Sequence, residues 1–239
     1  MIKGIRSLLL TLLLLRGASG LAYPACRSDS GGTALIIIDM QPFYIKRHGD
    51  DSLPSNRVKV ERMMNEQLAV IHRAKQANIP IIFVEYELRR NDVSPADRET
   101  SRVLQDAVAD YPDVTVVKKT TDSMFHPGNR YRDQLVNVLQ ERKIGTLIVT
   151  GANGGACVNK SIEGALENNC NVIVYNKSIA DFNFRRFLYP YVGNFPSYPV
   201  RCRNCAFHEV SSIDALTAAM MNHVEKRPYG ASPPPRITH

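Results

Sequence analysis

Several things are missing from this chain, and each absence narrows what it can be. The apolar run near the start, Ser7–Leu15, is too short to span a bilayer as a free-standing helix, so stable membrane insertion is not expected. There is no internal repeat, which sets solenoids and propellers aside. Cys202-x-x-Cys205 has no second Cys-x-x-Cys and no His-x-x-x-His partner, which makes a zinc site the weaker use of that pair. Acids are absent from both ends. The first 28 residues carry Lys3, Arg6, Arg16 and Arg27, and the tail carries Lys226, Arg227 and Arg236. These ends account for the formal net charge of +7 and leave the body near neutral, so the charge does not point to nucleic acid.

What is present suits one domain with a full core: 239 residues, 44% hydrophobic and 22% charged. Residues 1–22 resemble a secretory signal peptide, with a basic start, a leucine block and small residues at Ala18-Ser19-Gly20 or Gly20-Leu21-Ala22. A mitochondrial presequence is the alternative. Residues 23–32 read as a linker, 33–226 as the domain with an irregular insertion near 182–205, and 227–239 as a disordered tail. Asn176-Lys177-Ser178 is a glycosylation sequon, usable only on a secretory route. If Cys157 is reserved for chemistry, Cys26, Cys170, Cys202 and Cys205 form an even set available for disulfides, and the pairing stays open.

Along the chain, apolar β-branched runs alternate with helical patterns. Thr33–Ile38, Ile81–Val84, Val114–Val117, Leu147–Val149 and Val172–Val174 read as strands. Helices are expected after Pro54-Ser55, over Ser101–Ala109, around Tyr131–Leu139, after Cys157, and after Ser211-Ser212. This alternation implies a three-layer α/β/α architecture around a mainly parallel, Rossmann-like sheet. Residues just past the strand ends then gather along one edge, where ligands bind. Asp39, Lys119 and Cys157 each follow a different strand. They make a thiol, a carboxylate able to take its proton and an ammonium to hold both anions. Cys157 also opens a helix, whose dipole and unpaired first-turn N–H groups favour the thiolate.

Three blocks carry a family resemblance: ALIIIDMQPFY, VVKKTTDSMF and VTGANGGACVNKSIEGA. From about Thr33 to Asp181 the chain resembles the isochorismatase-like cysteine hydrolase superfamily, which includes isochorismatases, nicotinamidases and N-carbamoyl amidases. The resemblance implies Asp39 as general base, Lys119 as its electrostatic partner and Cys157 as nucleophile, with Lys118 a rival for the lysine role. Lys119 is preferred because its spacing to Phe125 matches the family's Lys-to-Phe spacing. It further implies a cis peptide before Asn153, with the N–H groups of Asn153 and Cys157 forming an oxyanion hole. The metal-binding nicotinamidases use an Asp-x-His element and further histidines, whereas this chain has only His48 and His72 between Asp39 and Asp97. No metal or other cofactor is therefore expected. The Asp that commonly follows the fifth strand is displaced here to Asp181.

The expected activity is metal-independent hydrolysis of an amide, ureido or vinyl-ether bond in a small molecule through a Cys157 thioester. Isochorismatase proper is the enzyme alternative, and a secreted non-catalytic binding module on the same fold is the alternative from another class. Phe43, Phe125 and Tyr131 are nominated for the pocket wall, with ordinary core packing an equal reading of each. Arg89 and Arg90 are candidates to meet a carboxylate, though solvated surface arginines are the simpler reading, and a loop role is the simpler one for His126. A homo-oligomer is left open.

Overall fold

The computed structural model of the protein describes residues 24–27, 31–49, 54–183, 186–193, 195 and 205–224. The leader and tail readings (1–22 and 227–239) lie outside them, as does Cys202. Among the described residues no helix is long and apolar enough to cross a membrane.

In chain order the elements are β1 (Gly32–Ile38), α1 (Pro42–Gly49), α2 (Pro54–Gln76), β2 (Ile81–Tyr86), α3 (Pro95–Arg98), α4 (Arg102–Ala107), β3 (Val114–Lys119), α5 (Arg132–Glu141) and β4 (Ile144–Ala152). A π-helical turn (Gly154–Val158) leads into α6 (Asn159–Glu167), followed by β5 (Asn171–Asn183), β6 (Arg186–Leu188), β7 (Phe207–Val210) and α7 (Ile213–Val224). The seven-stranded sheet runs β3-β2-β1-β4-β5-β6, with β7 also pairing β5. All pairings are parallel except the β5–β6 hairpin.

The central strand explains the layering. Every residue of β1 is buried, and alternate side chains enter different cores. Ala34, Ile36 and Ile38 pack with Leu135 and Leu139 of α5 and Ile162, Ala165 and Leu166 of α6. Leu35 and Ile37 pack on the other side with Met63, Val70, Ile71 and Ala74 of α2 and with Leu216 and Met220 of α7. The result is a three-layer α/β/α protein with a mainly parallel central sheet. Ser212 caps α7 as the sequence suggests, its Oγ accepting from the Ala215 N–H at 3.1 Å.

Three features differ from the sequence expectation. Pro42–Gly49, where no element was expected, forms α1, with proline at the first helical position, where a missing N–H costs nothing. β5 continues past the apolar run Val172–Val174 as far as Asn183, with a register shift between Val149 and Gly151 of β4 accompanying the polar Asn176-Lys177 step, so Asp181 lies on the strand itself. β7 had no apolar run to announce it. Ahead of β1, Ala25 and Cys26 are buried and Cys26 is joined to Cys170 by a disulfide, which ties the segment read as linker to the turn between α6 and β5. Cys205 is also disulfide-bonded.

Candidate active site

The carboxyl edge of the sheet brings the three strand-end residues together. β1 and β4 are in register at Ile38 and Gly151, and β2 and β3 at Tyr86 and Lys119. Gly151 has φ +122°, and a Cβ there would run into the Ile38 backbone, so only glycine lets β4 lie this close to the end of β1. Asp39 turns the chain off β1 with φ +53°, a left-handed conformation that Asp tolerates better than most residues. The Gln41 side chain then ties this turn to β2. Its Nε2 donates to Tyr86 O at 2.8 Å, and its Oε1 accepts from Tyr86 N–H at 2.9 Å.

Lys119 Nζ lies 2.8 Å from Asp39 Oδ2, with the lysine fully buried and Asp39 4% exposed. Nζ also donates to Thr121 O at 3.2 Å and Asp122 O at 3.3 Å, and sits 4.8 Å from the centre of the Tyr86 ring. Alternation along β3 separates the two lysines: Lys118 is exposed and Lys119 is buried. Burial alone strips a lysine of its proton, but Asp39 and Cys157 outweigh it and hold the Lys119 ammonium above its ordinary pKa. Burial raises the Asp39 carboxyl above its usual range, with Lys119 opposing. Among the described residues Asp39 Oδ1 has no hydrogen-bond partner, which leaves it open to receive a proton.

Cys157, the free cysteine among the described residues, stands in the π-helical turn beside this pair. The expectation that its helix favours the thiolate is corrected here. Burial, reinforced by the Asp39 carboxylate and opposed by Lys119, pushes the thiol up to about 12. The helix-end field is outweighed by a desolvated anion at close range, so the resting group is a neutral thiol. Its Sγ lies 3.8 Å from Asp122 Oδ1.

The peptide between Ala152 and Asn153 is cis, as the resemblance implies. Asn153 O accepts from the N–H groups of Ala156 and Val158 at 3.0 and 3.1 Å, and Asn153 Oδ1 accepts from Phe182 N–H at 2.6 Å. The Asp181 carboxylate accepts from the Gly155 N–H, and burial raises its pKa while the Gly155 and Phe182 N–H groups hold it down. The start and the middle of the Asn153–Cys157 turn are therefore anchored.

The nominated pocket residues part company. Phe43 belongs to an aromatic group, edge-on to Tyr44 at 5.2 Å, and Tyr44 is edge-on to Tyr86 at 6.4 Å. Phe125 is 3% exposed and packs in the core beneath α6. Tyr131 turns its hydroxyl away to donate to Glu87 Oε1 at 2.9 Å. His126 Nδ1 accepts from the Gly128 N–H at 3.0 Å, a loop role. Arg90 is forked onto Asp92 and Arg89 pairs with Glu87. Arg89 and Arg90 line a cavity of about 370 Å³ with Glu87, Arg98, Lys118 and Tyr86, and Tyr86 is the residue this cavity shares with the surroundings of Lys119. No three His, Cys, Asp or Glu side chains among the described residues are grouped to hold a metal ion.

Tyr44 and Asp122 are the site residues that sequence reasoning missed. Burial raises the Tyr44 hydroxyl's pKa, and Asp39, Cys157, Tyr86 and Asp122 add to that, so it lies within electrostatic reach of Asp39 and Cys157. Tyr44 closes the ALIIIDMQPFY block and Asp122 lies inside VVKKTTDSMF, so position in the blocks was the available signal.

Fold and site together define an α/β protein with a buried Asp–Lys pair and a cysteine at the carboxyl edge of a parallel sheet. The chain belongs to the isochorismatase family, whose isochorismatase domain matches residues 33–186. Solved structures share the fold. A candidate isochorismatase of Burkholderia xenovorans is 22% identical with a TM-score of 0.58, covering 80% of this chain and 88% of its own. N-carbamoylsarcosine amidase from Thermoplasma acidophilum is 18% identical with a TM-score of 0.53, covering 74% and 96%. A candidate hydrolase of the isochorismatase family from Chromobacterium violaceum is 16% identical with a TM-score of 0.58, covering 81% and 96%. No curated protein matches the chain.

Proposed function

We propose that the protein is a cysteine hydrolase that cleaves an amide or ureido bond in a small molecule. The observation that carries this is the buried Asp39–Lys119 pair at 2.8 Å beside the free thiol of Cys157. Asp39 takes the thiol proton as Sγ attacks the carbonyl carbon, then passes it to the departing amine, leaving a thioester on Cys157. Water attacks the thioester with Asp39 as base, and the proton returns to the released thiolate. Lys119 keeps the site near neutral through both steps, so no metal is needed to supply positive charge. The N–H groups of Asn153 and Cys157 receive the oxyanion, each such donor contributing about 3–4 kcal/mol in comparable sites. Because the resting thiol is neutral, its deprotonation belongs to the attack and not to the free enzyme.

The arginine- and lysine-lined cavity favours a second reading, isochorismatase chemistry on a carboxylated vinyl ether. Cys157→Ser separates the two. On amide and ureido substrates it is expected to abolish turnover, whereas vinyl-ether cleavage, which relies on Asp39 and Lys119, survives it. Retained amide turnover in that variant would overturn the cysteine-hydrolase reading. Loss of all panel turnover in the wild-type protein would leave the binding-module reading.

For location we propose the secretory lumen. The Cys26–Cys170 disulfide supports an oxidising compartment, and the leader and the Asn176 sequon fit the same route. Glycosidase-sensitive mobility of the expressed full chain supports this. Import into mitochondria would contradict it.

A further inference from the structure

Asp122 is the charged group at this site that the proposed chemistry does not use. Its carboxylate lies 3.8 Å from Cys157 Sγ. Its backbone is held there: its carbonyl accepts from Lys119 Nζ at 3.3 Å and from Ser161 Oγ at 3.4 Å, and Thr121 Oγ1 bridges past it to Ser123 O at 2.8 Å. Asp122 itself is exposed.

Among the described residues it forms no ion pair. Asp39 and Lys119 cancel each other in a contact pair, and Cys157 and Tyr44 are neutral. Lys160, which feels Asp122 electrostatically, is paired with Glu163 at 2.9 Å. One negative charge therefore remains at the nucleophile. A carbonyl carbon approaching Sγ to within about 3.5 Å brings its own substituents within a few ångströms of Asp122 Oδ1. An amide or ureido N–H there gains a charge-assisted hydrogen bond, and a carboxylate there meets a like charge.

We propose that Asp122 sets the charge selectivity of the site, admitting substrates with an N–H group or positive charge beside the scissile carbonyl and rejecting those with a carboxylate in that place. This deepens the cysteine-hydrolase reading and rests on it for the word substrate. It also weighs against isochorismate, whose carboxylate adjoins the bond to be cleaved.

The test uses the full chain with its disulfides intact and reads alkylation of Cys157 by intact mass. Iodoacetamide and iodoacetate share one chemistry and differ in an amide against a carboxylate. The ratio of their rates cancels the thiolate fraction, and glutathione measured alongside gives the ratio for a fully solvated peptide thiol. Wild type is expected to favour iodoacetamide by about tenfold more than glutathione does, with the excess shrinking as salt rises. Asp122→Asn and Asp122→Ser bring the ratio to the glutathione value, Asp122→Glu keeps it high, and Asp133→Asn, at an exposed position on α5, leaves it unchanged. A wild-type ratio equal to glutathione's, or one insensitive to both neutral variants, overturns the proposal, and the salt series decides it without any variant. A ratio that responds to Asp122 while no amide is hydrolysed fails the hydrolase reading alone. Hydrolysis that depends on Cys157 with an insensitive ratio fails the Asp122 proposal alone.

Discussion

Lys119→Met keeps the volume of a fully buried side chain and removes its charge. Asp39 Oδ2 loses the partner at 2.8 Å, its Oδ1 has none among the described residues, and the carbonyls of Thr121 and Asp122 lose a donor. Removing one member of a buried ion pair costs about 3–5 kcal/mol, a large part of the roughly 5–15 kcal/mol that holds a domain folded. Asp39 has one escape, which is to take up a proton. Its folded pKa already lies above the unfolded value because of burial, and losing Lys119, the main opposing influence, raises it further. A group with a raised folded pKa contributes fully below its unfolded pKa, and that contribution is lost as pH rises through the folded pKa. The deficit of Lys119→Met is therefore expected to be small near about pH 4 and to grow to several kcal/mol toward neutrality. Urea unfolding of both proteins across that range measures it. A deficit below about 1 kcal/mol at neutral pH, or one indifferent to pH, would refute the buried-pair account.

Alkylation of Cys157 by iodoacetamide is expected to rise about tenfold per pH unit with no plateau near the ordinary thiol pKa of 9.0, because the thiol is pushed up to about 12. A plateau near neutral pH would mean that the thiolate pre-exists. Replacing Cys26 and Cys170 with serine opens a cross-link spanning 144 residues, and chemical denaturation should show a loss of about 3–5 kcal/mol, with no loss contradicting its structural role. Gly151→Ala puts a Cβ against the Ile38 backbone at φ +122°, so it should lower the melting temperature and separate Asp39 from Cys157. Unchanged melting and activity would show that the edge tolerates the shift. Asp39→Asn is expected to cut turnover by at least about a hundredfold and, because it leaves the buried Lys119 ammonium unpaired, to lower stability as well, so kinetics are read at a temperature where circular dichroism shows the variant folded.

The sheet was legible because its central strands β1, β2 and β4 are continuous apolar runs buried on both faces, β1 most clearly. What the runs could not announce were elements without a buried apolar signature. In β7 the two central residues, His208 and Glu209, are exposed, and α1 is only eight residues long behind a proline. The three strand ends could be placed on one edge from topology, and the choice of Lys119 came from its spacing to Phe125. The burial of Lys119 and the exposure of Lys118 give that choice its physical reason. Contacts and protonation were out of reach. Nothing in the spacing of Asp122 or Tyr44 reveals that they flank a thiol 35 residues further on in the case of Asp122. A helix-start cysteine reads as acidic until the desolvated carboxylate beside it is known.

The central claim is that Cys157 forms a covalent acyl intermediate, and intact mass tests it most directly. The full-length protein is mixed with a panel of amide and ureido substrates and quenched in acid at short times. The account predicts a mass increase equal to the acyl group, mapped to the peptide carrying Cys157, absent in Cys157→Ser and decaying with product release. Turnover of a panel substrate with no adduct at any time, or with the adduct on another residue, would contradict it.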